Sequence, residues 1–261
     1  MNKILIAGLP SAGKSTYIAA LAYTLKETNG NLIYKMNGLP KDLSIIRNLY
    51  IPWLNQNIVD RTSLGTVSNI SLNLVKQDQD IILSLPDIAG EDFEQLLRGK
   101  NDIIKTWSKD SDGLLFLIKD MPSEVLADSF NAEKVNTAVQ PPIFDISNVS
   151  KQVKNLLLIK ELHKNYNFKK IAIGLSAWDL NENIDNTPES YLKECFPVFY
   201  NYIRHYYSDV FIFGLSAQGA EYKEENRDSI EERTSNGTRA YIVSTKEMKY
   251  DLTIPIDYLI D

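Results

Sequence analysis

Residues 8 to 15, Gly8-Leu9-Pro10-Ser11-Ala12-Gly13-Lys14-Ser15, fit the pattern G-x-x-x-x-G-K-[ST] without deviation. Glycines at its two ends let the backbone turn its N–H groups inward around an anion. A helix opening at the end of the motif adds the positive end of its dipole. Gly8, Ser11, Ala12, Gly13, Lys14, Ser15 and Thr16 are therefore the expected phosphate-side contacts. Lys14 would reach the β- and γ-phosphates of a nucleotide, and the Ser15 hydroxyl would ligate Mg²⁺. The apolar, strand-like Lys3–Ala7 precedes the motif and the helix-forming Tyr17–Ala22 follows it. Loop and context together imply a nucleoside phosphate ligand.

A second constellation begins at Ile81. The apolar Ile81-Ile82-Leu83-Ser84-Leu85-Pro86 runs into Asp87-Ile88-Ala89-Gly90-Glu91. A carboxylate at the end of a strand beside the phosphate loop can anchor Mg²⁺, which makes Asp87 a candidate ligand. Gly90 lacks a side chain and can bring its N–H up to a γ-phosphate. Glu91 has two readings: it orients an attacking water, or it points outward and complements the following helix dipole together with Asp92.

These residues need strand ends and helix starts to hold them. Strand-like runs fall at Lys3–Ala7, Val67–Val75, Ile81–Leu85, Gly113–Ile118, Lys170–Leu175 and Val210–Leu215. Helix-period stretches lie at Ser15–Glu27, Lys41–Asn55, Asp92–Lys109, Ser150–Tyr166 and Pro188–Tyr207. Strands alternating with helices mean βα units and a parallel sheet. One pair departs from this: only Gln77-Asp78-Gln79-Asp80 separates the Val67 and Ile81 runs, which is hairpin length and predicts an antiparallel pair. Thr187 is a natural N-cap before Pro188, and Pro197 predicts a kink or stop in the helix that follows. The polar 218–238 stretch reads as a mobile loop, whereas the apolar Ile254–Ile260 should dock on the core.

Two further strand ends complete a resemblance. Ile171-Ala172-Ile173-Gly174-Leu175-Ser176-Ala177-Trp178-Asp179 ends where Ras-like GTPases carry N/T-K-x-D. Val210-Phe211-Ile212-Phe213-Gly214-Leu215-Ser216-Ala217 ends on their S-A-x motif. With the phosphate loop, the Asp-x-x-Gly element and the antiparallel strand before it, the chain resembles the Ras-like, translation-factor class of P-loop GTPases over residues 1–219. The fold this implies is α/β and three-layered: a six-stranded, mostly parallel sheet with one antiparallel strand and helices on both faces. It would form a single domain over 1–261, with insertions at about 30–60, 120–150 and 218–240.

The resemblance implies GTP and GDP with Mg²⁺ as ligands. Asp179 would accept hydrogen bonds from guanine N1–H and N2–H₂, a donor pair that adenine lacks. Ser176 would border the base, and Ser216 and Ala217 would set a backbone N–H against guanine O6. Ala177 replaces the Lys that usually covers the base plane. Trp178 beside it either faces the base or packs inside. Metal ligands would be Ser15, Asp87 and a threonine of Arg61-Thr62-Ser63-Leu64-Gly65-Thr66: Thr66 is nearest the strand, Thr62 is the second candidate, and sequence leaves both open. Lys14 and Glu91 would act in hydrolysis, and Arg61 is either an arginine finger in cis or a solvated loop residue.

A narrower likeness follows from Asp-x-x-Gly-Glu at 87–91, the Arg61-Thr62 pair, the Ser-x-Trp-Asp form at 176–179 and the Pro-x-x-Tyr-Leu-Ile terminus at 255–260. These resemble prokaryotic double-GTPase proteins of bacterial conflict, or anti-phage, systems. That likeness implies a protein partner meeting the segments near 50–66 and 90–109. Two other readings stay open: a hydrolysis-deficient pseudo-GTPase serving as an assembly scaffold, and a P-loop ATPase.

Composition bounds these readings. The 261 residues carry 28 Lys plus Arg against 34 Asp plus Glu, a net charge of −6 that argues against non-specific nucleic-acid or anionic-membrane binding. Cys195 is the only cysteine, which removes disulfide frameworks and cysteine-based zinc sites, and two histidines cannot build a His-rich metal centre. No run of 18 apolar residues occurs, and the chain enters a strand at Lys3 with no room for a signal peptide, so a cytoplasmic protein is expected.

Overall fold

The computed structural model describes residues 2–27, 32–38, 46–58, 67–98, 102–109, 111–119, 146–181 and 186–261. Its centre is the parallel array expected from the apolar runs. Strands β1 (Asn2–Ala7), β4 (Gln79–Ile88), β5 (Gly113–Lys119), β6 (Lys170–Ser176) and β7 (Val210–Ser216) pair in parallel, with β1 between β4 and β5. The hairpin is present: β3 (Val67–Lys76) runs antiparallel to β4 across a two-residue turn, with Lys76 opposite Gln79. Gln77 and Asp78 both take left-handed φ, +48° and +64°, as a tight primed turn requires of its two central residues.

Among the described residues the sheet has nine strands rather than the expected six. Three short strands extend its edges. On one side β2 (Lys35–Met36) pairs antiparallel with β3. On the other, β8 (Tyr241–Val243) pairs antiparallel with β7, and β9 (Met248–Lys249) with β8. A single antiparallel strand is thus also too few, since β3 and β8 both oppose the parallel set. These edge strands are only two or three residues long and carry no alternation for a sequence pattern to register.

Helices cover both faces, as the near-continuous burial along β1, β5, β6 and β7 demands of strands whose side chains alternate between faces. Ile4 and Ile6 of β1, with Leu115 and Leu117 of β5, face α1 (Lys14–Glu27) and the terminal α9 (Ile254–Ile260). Leu5, Ala7, Leu114 and Phe116 face the opposite layer. That layer contains α3 (Gly90–Leu96), α5 (Ile146–Asn165) and α7 (Pro197–Tyr206). The docking expected of the C-terminus is borne out: Pro255, Ile256 and Leu259 are buried, and Tyr17 donates to the Leu252 carbonyl at 2.9 Å.

Pro197 breaks the helix as expected, separating α6 (Pro188–Cys195) from α7, and Thr187 caps α6 by accepting from the Ser190 N–H at 3.1 Å. The stretch expected to be helical from Asp92 to Lys109 is two helices, α3 and α4 (Asp102–Lys109). Of the segment expected to be helical from Lys41, the described part is a π-turn at Ile46–Tyr50 leading into α2 (Ile51–Leu54). The polar stretch after β7 holds α8 (Arg227–Ser235) rather than an irregular loop. Buried Ile230 and Thr234 anchor it, an inward face too sparse for a periodicity to reveal. Among the described residues no helix is long and apolar enough to cross a membrane.

Candidate nucleotide-binding site

The C-terminal ends of the parallel strands converge on the phosphate loop. Two glycine positions show why its sequence is so restricted. A Cβ on Gly8 would stand 2.5 Å from the Leu117 carbonyl oxygen of β5. Gly13 has φ +86°, where an L side chain is strained, and Ser11 is also left-handed at +64°. The chain thus curls tightly between β1 and α1. Lys14 starts α1 and its ammonium bridges the curl, donating to the Gly8 carbonyl at 2.9 Å and the Leu9 carbonyl at 3.3 Å. It is 7 % exposed and lies 5.5 Å from the centre of the Phe93 ring. The cation is thereby fixed at the mouth of the loop.

Two cavities run along this loop and share Ser11, Gly13, Thr16 and Lys119. The first, about 240 Å³, is bordered by the loop from Pro10 to Thr16 and by Ile88, Ala89, Gly90 and Glu91. Gly90 touches the loop so closely that an added Cβ would meet Pro10 Cα and N at 2.4 Å. Glu91 is among the residues bordering this cavity and stands in the first turn of α3. The backbone of Asp87 is next to last in β4, whereas its side chain lies outside the described part of the structure. Arg61, Thr62 and Thr66 likewise lie outside the described residues, as does the 120–145 stretch of the expected insertion.

The second cavity, about 220 Å³, lies between Ser176, Ala177 and Asp179 on one side and Ala217 and Gln218 on the other. Asp179 sits in a 3₁₀ turn, Trp178–Leu180, that opens on Ala177 in a left-handed conformation with φ +57°. Ser176 donates to the Ile118 carbonyl at 3.3 Å, and a Cβ on Gly13 would be 3.4 Å from its own Cβ, so this strand end abuts the phosphate loop. Trp178 packs inside: its ring covers Gly214 so tightly that an added Cβ would fall 2.4 Å from it, and it meets Tyr191 edge-on. Ser216 is fully buried and accepts the Gly219 N–H at 3.2 Å, which shapes the loop that holds Ala217 and Gln218 against the cavity.

A larger cavity, about 460 Å³, is lined by Leu32, Ile33, Lys35 and the β3–β4 turn. It lies at the opposite end of β4 from Gly90, and none of the expected site residues borders it.

Several residues at this site escape sequence reasoning. Lys119 ends β5, is exposed, and borders both cavities. Its only signal is a charge closing an otherwise apolar strand. Tyr241 lies opposite Ser216 in the β7–β8 register. Burial and then the Asp179 carboxylate raise its hydroxyl above the ordinary tyrosine value, so it stays protonated beside that carboxylate. Trp53 and Arg239, distant in sequence, grip the 217–218 carbonyls.

A magnesium ion needs hard oxygen donors and accepts nucleotide phosphates as several of them. Ser15, in the first turn of α1 and lining the phosphate cavity, supplies such an oxygen in the appropriate place. Among the described residues no cluster of three or more His, Cys, Asp or Glu side chains forms an all-protein metal site. Ser15 is thus the described oxygen donor that fits a magnesium ion shared with nucleotide phosphates.

The fold and site define an α/β protein whose tight loop between β1 and α1 borders two adjoining cavities, one of them lined also by Asp179. The Double-GTPase 1 family model matches residues 5–259, and the chain belongs to that family. No curated protein matches it. A solved structure similar to it is that of Methanosarcina barkeri Roco2 RocCORdC bound to GDP, at 12% sequence identity and a TM-score of 0.41. The match covers 90% of this chain and 49% of that one, so the chain spans about half that protein's length.

Proposed function

We propose that the protein binds guanine nucleotides with Mg²⁺ and hydrolyses GTP to GDP and phosphate as a nucleotide-dependent switch. The observation that carries this reading is the pair of adjoining cavities, with the Lys14 cradle at one end and Asp179 at the other. A nucleoside di- or triphosphate laid along the loop would put its phosphates against the 11–16 amides and its base against Asp179. The carboxylate would then accept from guanine N1–H and N2–H₂, and adenine would leave it unpaired.

Hydrolysis would rest on positioning and charge neutralisation. Lys14 would turn from the Gly8 and Leu9 carbonyls to the β- and γ-oxygens, Gly90 would offer its N–H, and Ser15 would hold Mg²⁺. The bound Mg²⁺ would neutralise charge building on the phosphate oxygens. Asp87, with Thr66 or Thr62, would complete the metal's ligands, and Arg61 would add a further positive charge. Water attacks the γ-phosphorus as the bond to the β–γ bridging oxygen breaks, and Glu91 would take its proton. By the family resemblance, segments 50–66 and 90–109 would meet a protein partner, in a bacterial anti-phage setting.

One observation favours a second reading. Glu91 is among the residues bordering the phosphate cavity, where a carboxylate facing inward would oppose the γ-phosphate, as a slow or hydrolysis-deficient scaffold would have it. Phosphate release from Mg²⁺-GTP by wild type and Glu91→Gln separates the two. As general base, Glu91 is expected to give a variant about 10²-fold slower. An unchanged or faster variant would remove Glu91 from the chemistry, and no release from wild type would favour the scaffold.

A further inference from the structure

Arg239 is 1 % exposed, stands two residues before β8 and does not border the base-side cavity. It forms no ion pair with a carboxylate among the described residues. Instead its Nε donates to the Gln218 carbonyl at 3.1 Å, and its terminal nitrogens donate to the Trp53 carbonyl at 2.8 Å, the Tyr222 hydroxyl at 2.6 Å and Thr234 Oγ1 at 3.4 Å. The guanidinium lies 3.6 Å from the centre of the Trp53 ring. Trp53, itself fully buried, donates its indole N–H to the Ala217 carbonyl at 2.8 Å. A guanidinium buried without a counter-carboxylate is costly. Here the charge is met by neutral oxygens, among them the Gln218 carbonyl of the loop that borders the base-side cavity, while the preceding Ala217 carbonyl accepts from Trp53.

The geometry is specific in what it fixes. A peptide is planar and trans, so holding the Ala217 carbonyl toward Trp53 turns the Gln218 N–H to the opposite side. Holding the Gln218 carbonyl toward Arg239 does the same for the Gly219 N–H, which meets Ser216 Oγ. The close fit leaves little slack, since a Cβ on Gly219 would stand 2.7 Å from the Arg239 carbonyl.

Resting on the nucleotide reading above, we infer that Arg239 and Trp53 are positioning residues for base recognition: they pin the Ala217–Gln218 peptides and thereby tie segment 51–54 to the base pocket. The base end of the site is braced by a stacked pair that borders neither cavity. Damage to this pair should weaken what the base contributes and spare what the phosphates contribute.

The test is displacement of a fluorescent GDP analogue by GDP and by inorganic tripolyphosphate, both with Mg²⁺, from wild type, Trp53→Phe and Arg239→Lys. Trp53→Phe keeps an aromatic ring and removes one N–H, so it decides the matter if Arg239→Lys does not fold; thermal melts identify folded protein. Positioning predicts GDP affinity about 10-fold weaker in the folded variants, with tripolyphosphate affinity unchanged. Equal weakening of both ligands, or no weakening of GDP, would reduce the pair to a structural contact and overturn the inference. Wild type that fails to bind GDP would instead remove the nucleotide reading and this inference with it.

Discussion

The two ends of the cleft are built by different means. At the proposed phosphate end, the residues from Gly8 to Thr16 are contiguous, and the site is built from backbone, one lysine and tight glycine contacts with Leu117 and, from Gly90, with Pro10. At the base end the wall comes from two strand ends, β6 and β7, with β8 behind them, and its shape depends on buried side chains elsewhere. Backbone chemistry permits almost no substitution without steric conflict. A wall assembled from several elements permits it wherever a neighbour can compensate, and this chain has Ser176 and Ala177 where its relatives in the Ras-like class carry Asn or Thr and Lys.

Perturbation at the phosphate end should therefore lower affinity for every nucleotide alike, and perturbation at the base end should change selectivity. The largest effect is expected from Lys14→Ala, which removes the buried cation of the cradle. GDP, GTP and ADP binding should all weaken by about 100-fold or more in calorimetry. A loss confined to guanine nucleotides would break the comparison.

Lys119→Ala sharpens it, because Lys119 borders both cavities. Its side chain is exposed and has no ion-pair partner among the described residues, so the melting temperature should not change. Affinity for GDP and ADP should each fall about 5- to 10-fold at low salt and by less at high salt, since the lost contact is a screened charge. The smallest effect on binding is expected from Trp178→Ala. The ring packs on Gly214 and Tyr191 rather than bordering the cavity, so the variant should lose about 3 kcal/mol of stability in denaturant unfolding while keeping its GDP-over-ADP preference. A changed preference would return Trp178 to the base pocket.

The same contrast governs how much could be read from sequence. The six principal strands, the hairpin, the break at Pro197 and the docking of α9 all follow from apolar runs and turn residues that act locally. The phosphate loop is legible because its chemistry needs particular residues at fixed spacing. Asp179 was legible only through resemblance, since a strand exit reading Ser-Ala-Trp-Asp carries no spacing rule of its own. The edge strands β2, β8 and β9 were not legible, because so short a run gains its conformation from the neighbouring strand. Arg239 and Tyr241 were missed for a related reason: they meet residues distant in sequence, with Trp53 lying 186 positions from Arg239, and nothing in a polar stretch marks one arginine as the buried one.

The central claim is that the Asp179 carboxylate selects guanine in the pocket beside the phosphate loop. Calorimetry of Asp179→Asn with Mg²⁺ and GDP, ADP or xanthosine diphosphate tests it most directly. An Asn amide offers a donor where the carboxylate only accepts, and xanthine offers an acceptor oxygen where guanine has its amino group. The account predicts that GDP affinity falls by about 100-fold or more. ADP should be unaffected, and xanthosine diphosphate should become the preferred ligand. Unchanged GDP binding, or an ADP preference in the wild type, would contradict it.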